Sequence, residues 1–363
     1  MSQAPPSTPQ RGWRAVAERM RRVLLPSRRK TINLALQGGG AHGAFTWGVL
    51  DELIRDGRLE FEAISGTSAG AMNAVVLLDG LLRGGPEGAR RRLGAFWRRV
   101  SREGAGANPA AEIVQAMLAF WHLPGVWPFG LFQQFTNLVS PYGANPLNIN
   151  PLRDLVERLI DFERVRSNDR PKLFISATNV RNGKIRVFSG REITADSLMA
   201  SACLPHLFQA VEIDGEAYWD GGYMGNPALF PFFTDTRSGD ILLVQVNPLR
   251  REEVPRTAEE IMQRVSEITF NASLLREFRA IDFVNRLMDA SRLDPRQYRR
   301  NRLHRIDAGQ ALAGYTAATK LDTSWHFLKE LRQAGRQAAK EWLAENYDAI
   351  GRRSTLDLRA EFM

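Results

Sequence analysis

A chain of 363 residues, 44% hydrophobic and 25% charged, has room for one large domain or two modest ones and is too mixed in composition to be disordered or fibrous. Its longest apolar runs, such as Ala74–Leu82, fall short of the roughly 18–20 residues that span a bilayer, and its single cysteine, Cys203, excludes an internal disulfide and favours a reducing, cytoplasmic setting. The net charge of +9 is uneven: residues 1–30 carry eight basic side chains and one acid, which leaves only +2 for the other 333 residues.

The basic N-terminal extension, residues 1–30, starts polar and proline-rich, without the apolar core of a signal peptide. Further along it, Trp13, Val16, Met20, Val23 and Leu24 recur at near-helical spacing with arginines between them. This arm reads either as an amphipathic helix making peripheral contact with an anionic membrane or as a leader resting on the body.

From Thr31 to about Pro248, strand-like and helix-like segments alternate, which predicts an α/β core with a mostly parallel sheet and helices on both faces. The expected strands are Ile32–Gln37, Phe61–Ser65, Lys172–Asn179, Ile185–Phe188, Ala210–Ile213 and Ile241–Val246, with Tyr218–Asp220 ending a further short one.

The first strand runs into Gly38-Gly39-Gly40-Ala41-His42-Gly43 and then a helical pattern. Three glycines in a row cost backbone entropy, so something must approach that backbone closely: a phosphate, a dinucleotide or an anionic reaction intermediate. The glycine spacing fits a dinucleotide fingerprint poorly, and the Gly-Lys-Ser/Thr of a phosphate loop is missing.

The second strand narrows the choice. It leads into Gly66-Thr67-Ser68-Ala69-Gly70 and an apolar helix, the G-x-S-x-G setting of a nucleophile elbow. There Gly66 and Gly70 clear space for a sharp turn that holds the Ser68 hydroxyl at the carboxyl edge of the sheet. If Ser68 attacks an ester, an oxyanion forms and needs N–H donors at about 2.7–3.1 Å. Glycine amides at Gly38–Gly40, on the neighbouring strand, can supply them.

Residues 105–152 form an aromatic lobe with one charged side chain before Leu152, Glu112, among Phe120, Trp121, Trp127, Phe129, Phe132, Phe135 and Tyr142. It reads equally as a packed loop-rich lobe and as an apolar lid or groove for acyl chains.

A nucleophilic serine needs a base. Of the five histidines, His42, His122, His206, His304 and His326, only the last two follow Ser68 late enough for the usual Ser–Asp–His chain order, and neither lies in a glycine-rich loop. The aspartate of Asp220-Gly221-Gly222, at the end of a short strand, is the better base, provided burial raises its basicity; the alternative is a plain turn.

Beyond about residue 250 the composition turns helical. Thr257 with Glu260 makes a capping box for an amphipathic stretch to about Arg292, and a second runs from Ser324 to Tyr347, so residues 251–363 are expected to be a helical C-terminal region. Between them Arg292, Arg296, Arg299, Arg300, Arg302 and Arg305 read as a solvated face or as a contact for headgroups or phosphoproteins. Without interleaved aromatics they argue against nucleic acid as a partner.

Three motifs in order, GGGAHG, GTSAG and DGG, resemble the patatin-like phospholipase family over roughly Thr31–Pro248. The resemblance implies a three-layer α/β/α hydrolase core in residues 31–250, with Ser68 as nucleophile and Asp220 as base. It also implies a Gly38–Gly39–Gly40 oxyanion loop, Gly43 permitting the turn into the helix, and no metal or cofactor. The implied substrates are acyl esters of phospholipids, lysophospholipids or neutral lipids. An acyltransferase, a storage-polyester depolymerase and a non-enzymatic lipid-surface protein remain alternatives, and the oligomeric state stays open. One departure concerns the loop, where the family often has Arg or Lys before its last glycine and this chain has His42. A histidine there is expected to make the loop pH-sensitive.

Overall fold

The computed structural model describes residues 29–104, 140–205, 207–312, 315 and 317–363. The amphipathic pattern of the N-terminal arm, most of the aromatic lobe, His122 and His206 lie outside the described residues.

Among the described residues eight strands form one sheet: β1 Lys30–Leu36, β2 Leu59–Gly66, β3 Lys172–Asn179, β4 Ile185–Ser189, β5 Val211–Ile213, β6 Glu216–Asp220, β7 Asp240–Gln245 and β8 Arg302–Asp307. Their order is β5-β6-β3-β2-β1-β7-β8, with β4 also paired to β3. The run from β3 to β8 is parallel, whereas β4, β5 and β6 pair antiparallel at one side. The main helices are α1 Gly43–Asp56, α2 Ala69–Gly104, α3 Pro151–Leu159, α4 Ala195–Ser201, α5 Ala258–Asp289 and α6 Trp325–Asn346.

The central strands are apolar on both faces because helices cover both. Leu34, Leu36, Leu242 and Val244 point into one layer with α1, α2 and α6, where Phe45, Leu77 and Leu328 are buried. Ala35, Ile241 and Leu243 point into the other, against Leu274, Phe278 and Ile281 of α5. The result is the expected three-layer α/β/α core with a mostly parallel sheet. Among the described residues no helix is long and apolar enough to cross a membrane.

Helix boundaries follow local chemistry. Gly57, at φ 72°, ends α1 by donating its amide to the Leu53 carbonyl. The capping box opening α5 forms as the spacing predicts, with the Thr257 side chain accepting from the Glu260 amide and the Glu260 carboxylate accepting in return. α2 kinks where Gly84 and Gly85 leave helical geometry just before Pro86.

The C-terminal region is helical apart from one strand that the sequence pattern hid. β8, Arg-Leu-His-Arg-Ile-Asp, extends the parallel sheet beside β7, with Leu242 opposite His304. Its charges masked it, and they are not all solvated. Arg302 forks onto Asp240 at 2.9 and 2.7 Å, Arg305 reaches Glu361 at 2.6 Å, and Arg299 donates to the carbonyls of Phe232 and Thr236. For these three the solvated-face expectation gives way to pairing at the sheet edge. Arg292, Arg296 and Arg300 are exposed.

Candidate active site

In the parallel register Leu36 of β1 lies opposite both Gly66 of β2 and Val244 of β7, so three loops leave the sheet side by side at its carboxyl edge. Such an edge is where open α/β sheets place their ligands. The loop after β2 is only Thr67 and Ser68, because α2 starts at Ala69.

This turn is tight and strained. Ser68 has φ 53°, a left-handed conformation that costs a non-glycine residue on the order of 1–3 kcal/mol. Neighbours hold it there: Thr67 Oγ1 donates to the Gly225 carbonyl at 2.6 Å, and the Ser68 amide donates to Ser201 Oγ at 2.9 Å. Gly66 must lack a side chain, since a Cβ there would lie 2.7 Å from the Gly70 carbonyl oxygen and 2.8 Å from Ala71 Cα. Gly70, second in α2, packs on the Leu36 and Gln37 carbonyls.

Beside it runs the glycine loop. Gly38 faces Ser68 so closely that a Cβ on it would sit 2.8 Å from Ser68 Cβ. The Gly38 amide donates to Asn226 Oδ1 at 2.7 Å, and its carbonyl accepts from Asn247 Nδ2 at 2.7 Å. Among the described residues the amides of Gly39 and Gly40 have no acceptor. Gly40, at φ 58°, turns the chain into a short 3-10 segment through His42, and Gly43 opens α1 against Ala69 and Trp97.

Asp220 closes β6, opposite Ala177 of β3. Its amide donates to the Cys203 carbonyl at 2.7 Å, and its carbonyl accepts from Thr178 Oγ1 at 2.9 Å. The side chain is wholly buried, with Oδ1 accepting from the Gly222 amide at 2.7 Å. Oδ2 has no hydrogen bond of full geometry, yet the Ser68 hydroxyl is near enough to pull the carboxyl pKa down. Burial dominates and pushes that pKa up to about 7, against the Gly222 amide, Ser68 and the positive charge of Lys320. Gly221 and Gly222 form the turn after β6, Gly221 against the Ser176 backbone and Gly222 beneath the Phe270 ring.

The structure thus brings Ser68, Asp220 and Gly38–Gly40 to one place, with Gly43, Gly66, Gly70, Gly221 and Gly222 shaping the turns around them. No described histidine joins them as a base. His304, fully buried on β8, bonds Asp240 Oδ1 and Thr355 Oγ1 at 3.1 Å each, and Asp240 begins β7, away from the loop edge. His326 is exposed on α6 near Glu330.

His42 corrects the expectation of pH sensitivity. Its ring is buried, shares a 2.8 Å hydrogen bond with Thr319 Oγ1 and lies edge-on to Phe327. Burial first, and then the charge of Lys320, push its pKa down to about 3, so it stays neutral through the physiological range.

Four residues around the site escaped sequence reasoning. Asn226 follows the Asp220 turn and Ser201 ends α4. Asn247 follows β7, and Lys320 comes from a 3-10 turn, Ala317–Leu321, far along the chain. Nothing local to Asn247 or Lys320 points to the site, because only the folded sheet brings them there.

A family model described as patatin-like phospholipase matches residues 34–233. Among solved structures, the chain is similar to VipD from Legionella pneumophila, at 16% sequence identity over 87% of this chain and 67% of that one, with a TM-score of 0.42. It is also similar to the heterodimeric ExoU–SpcU complex of the type III secretion system of Pseudomonas aeruginosa, at 17% identity over 93% of this chain and 75% of that one, with a TM-score of 0.33. No curated protein matches the chain.

Proposed function

Since this chain belongs to the patatin-like phospholipase family, we propose that it is a serine hydrolase of fatty-acyl esters of lipids, with Ser68 as nucleophile and Asp220 as its base. The observation that carries this reading is the meeting of a strained serine and a wholly buried carboxylate at the edge of the sheet. Family membership supports lipid as the substrate class.

In the proposed reaction, ionised Asp220 takes the Ser68 proton as Oγ attacks the acyl carbonyl carbon. The carbonyl π electrons move to oxygen, and the amides of Gly39 and Gly40, which have no acceptor among the described residues, donate to the oxyanion together with the Ala69 amide that opens α2. Collapse of the tetrahedral intermediate breaks the ester bond, and the leaving alkoxide takes its proton from Asp220. Water then attacks the acyl-enzyme with Asp220 again as base, which releases the fatty acid and restores Ser68. The basic arm and aromatic lobe are proposed to deliver substrate from a lipid surface.

The test is release of free fatty acid from phospholipid vesicles and from a soluble short-chain ester. Wild type is expected to hydrolyse both and to be labelled at Ser68 by a fluorophosphonate probe, whereas Ser68→Ala does neither. A folded Ser68→Ala protein with undiminished hydrolysis would overturn the reading. Transfer of the acyl group to an added alcohol, in place of fatty-acid release, would make the enzyme an acyltransferase.

A further inference from the structure

The glycine loop carries a histidine whose pKa lies at about 3, yet a cationic side chain reaches the loop from elsewhere in the fold. Lys320 arrives from the 3-10 turn Ala317–Leu321. Its carbonyl presses on Gly40, and the Thr319 side chain next to it bonds His42. Its ammonium donates to Asn247 Oδ1 at 2.9 Å, and Asn247 Nδ2 donates in turn to the Gly38 carbonyl at 2.7 Å and to Gln37 Oε1 at 3.2 Å.

The same ammonium lies 6.0 Å from the centroid of Phe270, whose ring covers Gly222, and the Gly222 amide holds Asp220. Lys320 therefore sits between the loop that faces Ser68 and the turn that carries the carboxylate.

Glu267, the acid whose charge most favours the Lys320 ammonium, is paired with Arg251 at 2.5 Å and Arg264 at 3.2 Å, and among the described residues Lys320 has no carboxylate within ion-pair distance. Burial pulls the Lys320 pKa down from its ordinary value; the charges of Glu267 and Asp220 oppose that, and Arg251 adds to it. Besides burial, the Asp220 carboxyl is acted on by the Gly222 amide, the Ser68 hydroxyl and Lys320, of which only Lys320 is charged, while Asp220 itself acts on the neighbouring Cys203 and Tyr223. While it is protonated, a cation in so low-dielectric a setting exerts a field that water screens little.

We propose that Lys320 is a positioning residue of this site, steadying the glycine loop through Asn247 and supplying the positive charge that favours ionised Asp220. The proposal rests on the serine–aspartate reading. It gives Lys320 two effects, one on the shape of the loop and one on the pH at which the base becomes competent.

The experiment is the pH profile of kcat/KM between pH 5 and 9 on a soluble short-chain ester. It compares wild type, Lys320→Gln, Lys320→Met and Lys320→Arg, with folding checked by circular dichroism and Ser68→Ala as the blank. Lys320→Gln can keep the bond to Asn247 without the charge. Both neutral variants are expected to move the acid limb to higher pH by about half a unit or more. They are expected to lose several-fold activity at pH 6.5 and recover most of it by pH 8.5, while Lys320→Arg keeps the wild-type limb.

Folded neutral variants with an unmoved limb would overturn the proposal. So would folded variants inactive at every pH and unrescued by arginine, or neutral variants that both fail to fold, since either outcome makes Lys320 merely structural. Hydrolysis by Ser68→Ala equal to wild type would instead strike the serine–aspartate reading itself.

Discussion

The amide of Gly222 holds Asp220 Oδ1 at 2.7 Å, while the buried Oδ2 of the same carboxyl has no hydrogen-bond partner among the described residues. One oxygen anchors the group and the other is available for a proton. With its pKa pushed up to about 7, Asp220 ionises, as the proposed role of base requires, only as pH rises through that value. Hydrolysis by wild type is therefore expected to show an acid limb near pH 7. Asp220→Asn is expected to lower kcat/KM by about 10²–10⁴-fold across the range. A profile flat from pH 5 to 9 would contradict the assignment.

The same burial makes Asp220 a burden on the fold. A carboxyl whose folded pKa lies above its unfolded value of about 3.9 contributes stability that is full below that value and is lost as pH rises through about 7. Asp220→Asn removes the loss. The variant is expected to be more stable than wild type at pH 8.5, by up to about 4 kcal/mol, with the difference vanishing near pH 4. Urea unfolding at the two pH values measures this.

Ser201 donates no charge and touches no proposed reacting atom, yet its hydroxyl accepts from the amide of strained Ser68 at 2.9 Å. Ser201→Ala leaves that buried amide unpaired, at a cost of about 1–3 kcal/mol in stability. The turn then relaxes, and fluorophosphonate labelling of Ser68 is expected to slow about tenfold. Labelling at the wild-type rate would show that the turn holds itself.

His42→Gln is expected to leave the pH profile between 5.5 and 8 superimposable on wild type, because a ring whose pKa lies near 3 carries no proton to lose there. A displacement of the acid limb in this variant would mean that the ring titrates after all.

Asp240 is a structural counterpart to Asp220. Burial raises its pKa, but hydrogen bonds from His304, Arg302 and the Gly351 amide overcome that and hold it below the ordinary carboxylate range. Its stabilising contribution is present above the unfolded pKa of about 3.9 and is lost as pH falls through the still lower folded value. Asp240→Asn breaks the joint between β7 and β8 and is expected to cost about 3–5 kcal/mol at pH 7 in thermal or urea unfolding. Ser68 labelling of the folded fraction should be unchanged.

Much of this arrangement is legible in the chain alone. Apolar runs buried on both faces mark the central strands, and the capping box at Thr257 sets the start of α5. Both depend on residues a few positions apart. So does the elbow, where Gly66, Ser68 and Gly70 specify a turn whose strain is local.

Tertiary structure decided what depends on partners distant in sequence. β8 reads as a charged segment until Asp240 and Glu361 pair its arginines. The Gly38 amide looks as free as its neighbours until Asn226 takes it. The basicity of Asp220 and the neutrality of His42 come from burial, which no spacing encodes, and Lys320 reaches both only because the sheet draws its turn onto the glycine loop.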